Sequence, residues 1–463
     1  MIQTECGIFA IISKTNYDSG QLLKNLRKLQ HRGRESFGIS WFNDGLYDSK
    51  FMGVITDEHI DIPLTSTNES NKSDVIYSKN WLGHVRYSTS ASVQKLHFSQ
   101  PIISKEYGFS LAHNGNIPSS VWSKITLKYK YNLSSQDTTD TYVLHGLMET
   151  LLSRGISMID VLKHIIENIE GVYSLVISTV NKTYICRDRF GVRPICYAFG
   201  EDVIYISSES CALPNDITAH YDVGPGEIIE INNDLLTVNT IYKYANVNAN
   251  FCIFELIYFM RDESIVDSLY VKDFKNYIGK ILAEQFLQKE FDKDGAIVCG
   301  VPQSGILYGT SFSSHCKLDY VQFLERNNNY HLRTFILKTN KQRLEACKQK
   351  YCISTDIENK KVILVDDSIV RGNTLKHLIS LVKSYKPKEI HFIVASPPIK
   401  HTCSYGVDFA DIEELIANQL SIKEMVEYFG FDSLTYLDID KIKQLDFTNK
   451  QFCNACFTGN YLF

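Results

Sequence analysis

The run VILVDDSIVRGNT, residues 362–374, delivers two adjacent carboxylates, Asp366 and Asp367, at the end of an apolar stretch. Ser368, Arg371, Gly372, Asn373 and Thr374 follow, and the amphipathic segment TLKHLISLVKSY begins at Thr374. Adjacent carboxylates suit sugar hydroxyls or a divalent cation. Glycine and hydroxyl residues at a helix N-terminus can hold a phosphate through backbone N–H groups and the helix dipole. The competing interpretation is an ordinary strand–helix turn in which Asp and Ser cap the helix. A second candidate is Cys6, on the edge of a short apolar run in MIQTECGIFA. It is either a packing residue of a strand or a nucleophile that becomes N-terminal once five residues are removed. A third is the pair Cys453 and Cys456 in FCNACFTGNY. A lone CxxC is ambiguous among redox, zinc and iron–sulfur roles. A zinc site would usually show a second close pair, and the sequence has none.

These residues need elements to position them. KKVILVDDS (360–368) predicts a buried strand, TLKHLISLVKSY (374–385) a helix and EIHFIVASPP (389–398) a further strand. DGAIVCGVP (294–302) predicts another strand that ends in a Pro-containing turn. Strand, helix, strand at this spacing is a βαβ unit and implies a parallel sheet. The front half reads differently. Short β-like runs recur there (CGIFAII, YSLVIST, KTYICR, DVIYISS), with helical periodicity in QLLKNLRKLQ (21–30), TYVLHGLMETLL (141–152) and VLKHIIENI (161–169). TSTNESNKSD (65–74) reads as a polar loop. The pattern predicts an α+β domain of packed sheets and helices. A boundary falls between Ile241 and Cys252, where YKYANVNAN is polar and aperiodic.

The chain has 463 residues, 44% hydrophobic and 22% charged, enough for real cores in two to four domains. The net charge is −5 with no long basic block, so nucleic acid is not an expected partner. The start has no signal-peptide pattern, and no apolar stretch reaches the ~18 residues of a membrane span. A cytoplasmic protein without a membrane partner is expected. In that setting the twelve cysteines do not read as a disulfide framework.

The run 362–374 closely resembles the phosphoribosyl pyrophosphate (PRPP) signature of type I phosphoribosyltransferases. VPQSG (301–305) resembles their pyrophosphate loop, with Ser304 and Gly305 matching. The resemblance implies that Ser368, Arg371, Gly372, Asn373 and Thr374 hold the 5-phosphate. Asp366 and Asp367 would face the ribose hydroxyls, with Ser304 and the acidic pair close to magnesium (Mg2+). The front half resembles the glutamine amidotransferase domain of the amidophosphoribosyltransferase family, and the resemblance extends over nearly the whole chain. It is carried by Cys6–Phe9, LQHRGRESFGI (29–39), GHVRYST (83–89), AHNGNI (112–117), TTDTYVL (138–144), RDRFGVRP (187–194), SSESCAL (207–213) and VGPGE (223–227).

An α+β N-terminal nucleophile hydrolase sandwich is thus expected at residues 6–241, after a propeptide of residues 1–5. An α/β type I phosphoribosyltransferase domain with a parallel sheet is expected at 250–463. In such a hydrolase the thiol of Cys6 attacks and its own α-amine is the nearby base. Asn114 and the N–H of Gly115 match the oxyanion hole. Arg86 matches the clamp on the glutamine α-carboxylate, and Asp140, rather than Asp137, the partner of its α-amine. Cys453 and Cys456, with Cys252 and Cys403, match the ligands of a 4Fe-4S cluster, which needs four thiolates. The implied reaction takes PRPP and glutamine to 5-phosphoribosylamine, glutamate and pyrophosphate, the first committed step of purine synthesis. Purine nucleotides are expected as feedback ligands, and a homo-oligomer, a tetramer, as the assembly.

The chain also departs from the family pattern. Gln303 stands where Asp is usual, and Asn327-Asn328-Asn329 where most members have Lys-Asn-Arg. Lys338-Thr339-Asn340 replaces Pro-Thr-Gln, although Arg333, Thr334, Arg343 and Lys350 match. Arg34 and Phe37 replace the common Gln and Ala. These changes leave two alternatives: a glutaminase whose transferase half has decayed into a PRPP sensor, and a non-catalytic iron–sulfur binding protein.

Overall fold

A computed structural model describes residues 6–62, 64–67, 73–87, 96–129, 138–327, 351–407, 409, 411–443 and 451–463. The leader 1–5, Asp137 and residues 328–350, with the family departures and matches expected there, lie outside the described residues.

Strand Gly7–Asp18 carries apolar side chains on both faces over its first half, because a layer covers each face. Successive side chains point to opposite sides of a strand. Ile8, Ala10 and Ile12 meet Ala112, Val176 and Ile185 of a second sheet. Phe9 and Ile11 pack against Leu22, Leu23 and Leu26 of helix Ser19–Leu26. That helix has only eight residues and would not persist alone. Its stability comes from those three leucines, each contributing roughly 1.5–3 kcal/mol on burial.

Among the described residues the first sheet has seven strands, in the order 221–222, 196–200, 203–207, 7–18, 77–86, 36–42 and 46–52. The second has six, in the order 237–243, 227–232, 182–187, 172–179, 109–116 and 102–104. The pairings within both are antiparallel. Helices Ser119–Tyr129, Asp140–Leu152 and Met158–Asn168 cover the outer face of the second sheet. Helix, sheet, sheet, helix is the expected nucleophile-hydrolase sandwich. One segment differs from its sequence-based expectation. Within the polar stretch 65–74, Thr65–Thr67 pairs antiparallel with Ser73–Val75. A backbone ladder of that length needs no apolar pattern, so periodicity cannot reveal it.

The rear half builds a parallel sheet in the order 319–320, 296–300, 361–366, 389–394 and 433–436. Strand Lys361–Asp366 is central and again buried on both faces. Ile363 and Val365 face helices Val271–Leu287 and Gly305–Cys316, while Val362 and Leu364 face helix Asn373–Lys383. Its carboxyl end is therefore the place where Asp366 and Asp367 emerge, at the edge where open parallel sheets bind ligands. A short parallel pair, Asn250–Cys252 with Gln451–Cys453, brings the start of the rear half to the chain's C-terminal segment. No helix among the described residues is long and apolar enough to cross a membrane.

Candidate functional site

Gly7 pairs with Val85, so Cys6 lies at the end of the sandwich beside Arg86. The Cys6 thiol is half-buried and faces the carbonyl of Tyr87 at 3.8 Å. Arg86 pairs with Glu35 at 2.8 Å, with both side chains at most 8% exposed, and its guanidinium lies over the ring of Phe98. A buried carboxylate of this kind fixes the plane of the guanidinium, which bidentate recognition requires.

Asn114 and Gly115 end strand Phe109–Asn116, opposite Ser174 and Tyr173. Asn114 is 1% exposed, and neither its amide nitrogen nor its amide oxygen has a hydrogen-bond partner among the described residues. Buried amides are nearly always paired, so this one is free to donate to a ligand. Gly115 has φ +151°, and a Cβ there would meet the carbonyl oxygen of Val172 at 2.0 Å. Only glycine lets the backbone approach this closely. Asp140 is the first residue of its helix, and Thr139, not Asp140, is the N-cap. The Asp140 carboxylate accepts from the N–H of Ile117 at 3.2 Å and of Thr141 at 2.8 Å. It also lies 3.7 Å from Nδ1 of His113.

His84 ties these strands together, with Nε2 3.1 Å from the carbonyl oxygen of His113. Burial, against the opposing pull of that hydrogen bond, lowers the His84 pKa to about 3. The unfolded chain therefore binds the proton first. Stability is full above pH 6.5 and falls as the pH drops toward 3, by about 1.4 kcal/mol per pH unit. We expect His84→Gln to flatten the acid limb of a plot of melting temperature against pH. An unchanged slope between pH 6 and 4 would count against this assignment.

In the rear half the acidic pair meets the Ser304 turn. Ser304 Oγ donates to Asp367 Oδ1 at 2.5 Å, and the Ser368 hydroxyl donates to the other oxygen. A Cβ on Gly305 would lie 2.1 Å from the carbonyl oxygen of Val365. Glycine thus lets the two loops touch. Gly372, in the left-handed region at φ +74°, is the N-cap of helix Asn373–Lys383, so Asn373 and Thr374 form its first turn. Arg371 lies in the same loop, but its guanidinium pairs with Glu414 at 2.7 Å. Both side chains are more than a third exposed, so the pair is weak and exchangeable. Tyr258 is partly buried, and desolvation together with the charges of Asp367 and Asp366 raises its hydroxyl pKa.

Cys252 and Cys453 are register partners across the short parallel pair. Cys456 lies in the field of Cys252, Cys403 and Cys453. The Cys403 sulfur accepts from the N–H of Tyr405 at 3.3 Å. Burial pushes the Cys453 thiol up to about 12 and raises Cys456 as well. Among the described residues, no group of three or more His, Cys, Asp or Glu side chains is placed to hold a metal ion.

Two family models match the chain, a glutamine amidotransferase domain over residues 84–215 and a phosphoribosyl transferase domain over residues 271–429. The amidophosphoribosyltransferase of Methanocaldococcus jannaschii is 33% identical over 98% of this chain and 97% of its own length. That of Bacillus subtilis is 31% identical over 99% and 94%. The chain belongs to the amidophosphoribosyltransferase family. A solved structure of the B. subtilis glutamine PRPP amidotransferase, complexed with ADP and GMP, superposes with a TM-score of 0.83 at 30% identity, covering 99% of this chain and 97% of that one.

For an amidophosphoribosyltransferase, the two groups of expected residues fall at the ends of two different kinds of sheet. Cys6, Arg86, Asn114, Gly115 and Asp140 gather at one end of the sandwich. Ser304, Gly305, Asp366, Asp367, Ser368 and Gly372–Thr374 gather at the parallel-sheet edge. The sequence-based reading gave no individual role to Glu35, His84, His113 or the buried charge cluster formed by Arg32, Arg193, Glu209 and Glu255, although all but Glu255 lie in its motifs. Glu35 has a local signal, since it follows Gly33 in the same motif as Arg34. Its partner Arg86, like the partners of the others, is set by tertiary structure.

Proposed function

We propose that the chain hydrolyses glutamine at Cys6 and delivers the ammonia to the anomeric carbon of PRPP. The products are glutamate, pyrophosphate and 5-phosphoribosylamine, at the entry to purine synthesis. One observation supports this reading: the buried amide of Asn114, without a hydrogen-bond partner among the described residues, on a chain that also brings Asp366–Thr374 to a helix N-terminus. Cys6 attacks the side-chain amide, and its α-amine, with a pKa of about 7.7–8.0, takes the proton. The amide of Asn114 and the N–H of Gly115 stabilise the oxyanion. Arg86 holds the glutamine carboxylate and Asp140 its ammonium group. In the rear half, Ser368–Thr374 hold the 5-phosphate, Asp366 and Asp367 the ribose hydroxyls, and Ser304 and Gly305 the pyrophosphate. Mg2+, bound at Ser304 and the acidic pair, would neutralise the charge of the leaving pyrophosphate.

The finer features belong to the same reading. Residues 1–5 are a propeptide, residues 6–241 the glutaminase and residues 250–463 the transferase. Cys252, Cys403, Cys453 and Cys456 hold a 4Fe-4S cluster. The support is that Cys252 and Cys453 are register partners and that Cys456 lies in the field of the other three thiols, four thiolates being what such a cluster needs. The protein works as a cytoplasmic homo-oligomer under purine-nucleotide feedback, and the B. subtilis relative was crystallised with two such nucleotides.

The test supplies PRPP with glutamine, then PRPP with ammonia, and follows pyrophosphate. Release with both donors is expected. Glutamate without pyrophosphate would mean a stand-alone glutaminase, and neither product a binding protein. Anaerobically purified protein should carry about four iron atoms per chain. Cys453→Ser should lose the iron and its visible absorbance. A variant with full iron content would remove Cys453 from the ligand set.

A further inference from the structure

We infer that Glu255, which belongs to the transferase half, is a positioning residue for the glutaminase nucleophile. This rests on the reading of Cys6 as that nucleophile. The side chain of Arg32 has no exposed surface. Its Nε donates to the carbonyl oxygen of Cys6 at 3.0 Å. Its Nη2 donates to Glu255 Oε1 at 2.8 Å, and its Nη1 to Glu255 Oε2 at 3.0 Å. Two parallel bonds of this kind fix a guanidinium in plane and in rotation. Nη1 also reaches Glu209 Oε1 at 2.6 Å.

The cluster extends on both sides. Glu255 Oε1 accepts from Arg193 Nη1 at 3.2 Å, and Arg193 Nη2 donates to the carbonyl of Tyr405 at 2.6 Å. Glu209 Oε2 accepts from the N–H of Arg261 at 2.9 Å and from Ser264 Oγ at 2.7 Å. Two carboxylates thus face two guanidinium groups, all without exposed surface. Such clusters are weak evidence for stability and can instead specify one arrangement of the groups they hold.

What this cluster specifies is the backbone of Cys6. A bond to its carbonyl oxygen places its α-carbon, and with it both the thiol and the α-amine that serves as base. Without Glu255, Arg32 keeps the bond to Glu209 but loses the fork that fixes its plane and rotation at the Cys6 carbonyl. The turn Glu255–Phe259 that presents Glu255 also faces the other site. The carbonyl of Ile257 accepts from the Tyr308 hydroxyl at 2.9 Å, and Tyr258 lies beside Asp366 and Asp367. One short turn therefore borders the sugar-phosphate site on one side and holds the nucleophile's anchor on the other.

The test uses the full chain as Glu255→Gln, Glu255→Asp, Arg32→Lys and Cys6→Ala. Glutamine hydrolysis is resolved into kcat and KM, and alkylation by iodoacetamide is followed at the Cys6 peptide by mass spectrometry. Misplacing a reacting group by about 1 Å can cost roughly a hundredfold. Glu255→Gln is expected to lower kcat by roughly ten- to a hundredfold, with KM changed by less than about threefold, and to slow alkylation in parallel. Glu255→Asp should recover part of the rate. The Arg32→Lys/Glu255→Gln double variant should be no slower than the worse single variant, as expected of groups acting in series. If Glu255→Gln does not fold by thermal melting, Arg32→Lys carries the same comparison. An unchanged kcat in folded Glu255→Gln, with activity lost in Cys6→Ala, overturns this inference alone. Hydrolysis that survives in Cys6→Ala overturns the assignment of the nucleophile and this inference with it.

Discussion

Cys6→Ala is expected to abolish glutamine-dependent formation of 5-phosphoribosylamine, lowering it by roughly a thousandfold or more, while ammonia-dependent formation persists. The asymmetry follows from the geometry. The thiol sits at the end of the antiparallel sandwich, whereas the acidic pair sits on a separate parallel sheet. Removing the sulfur deletes the bond-forming atom of one reaction and touches nothing in the other. A second variant separates the thiol from the amine. If processing between Glu5 and Cys6 is blocked, the thiol remains but the α-amine becomes an amide that cannot accept a proton. That protein should resemble Cys6→Ala in both assays. N-terminal sequencing identifies the form present, and an unprocessed chain with full glutaminase activity would exclude the α-amine as base.

Asp367→Asn is expected to have the second largest effect, and on both nitrogen donors together. Asp367 is 5% exposed and accepts from Ser304 and Ser368 on its two oxygens, so it joins the candidate pyrophosphate and 5-phosphate loops. An amide replaces one acceptor oxygen with a donor and faces a hydroxyl that must then reorient. It also removes the charge available to a divalent cation. A loss of roughly a hundredfold in pyrophosphate release is expected with glutamine and with ammonia alike, with a steeper requirement for Mg2+. A loss confined to the glutamine reaction would show that Asp367 serves coupling rather than transfer.

These two predictions rest on features legible in the sequence, for a physical reason. The strand–loop–helix at 360–385 is a local object. Its apolar run, its carboxylates and its helix start are consecutive, so periodicity and residue type suffice to read it. The sandwich strands are similarly local, because burial on both faces writes itself as a continuous apolar run. What the sequence hides is pairing at a distance. Arg32 and Glu255 are separated by 223 positions, and Glu35 and Arg86 by 51. Neither carboxylate carries a pattern that names its partner. Arg371 shows the reverse case. The motif puts it in the loop before helix Asn373–Lys383, where it lies, but only the fold reveals Glu414 pairing with its guanidinium.

The position of the Arg32 anchor in the chain has a consequence for biosynthesis. The ribosome completes every residue of the antiparallel sandwich before Glu255 emerges, and Tyr405, which accepts from Arg193 in the same cluster, follows 150 residues later. A nascent sandwich that has folded early has the residues for the Arg32 bonds to the Cys6 carbonyl and to Glu209, but it lacks the Glu255 fork. It gains its last support only when the transferase has docked against it. If Glu255 positions Cys6 as inferred, the full rate of glutamine hydrolysis is reached only once the transferase half has been made.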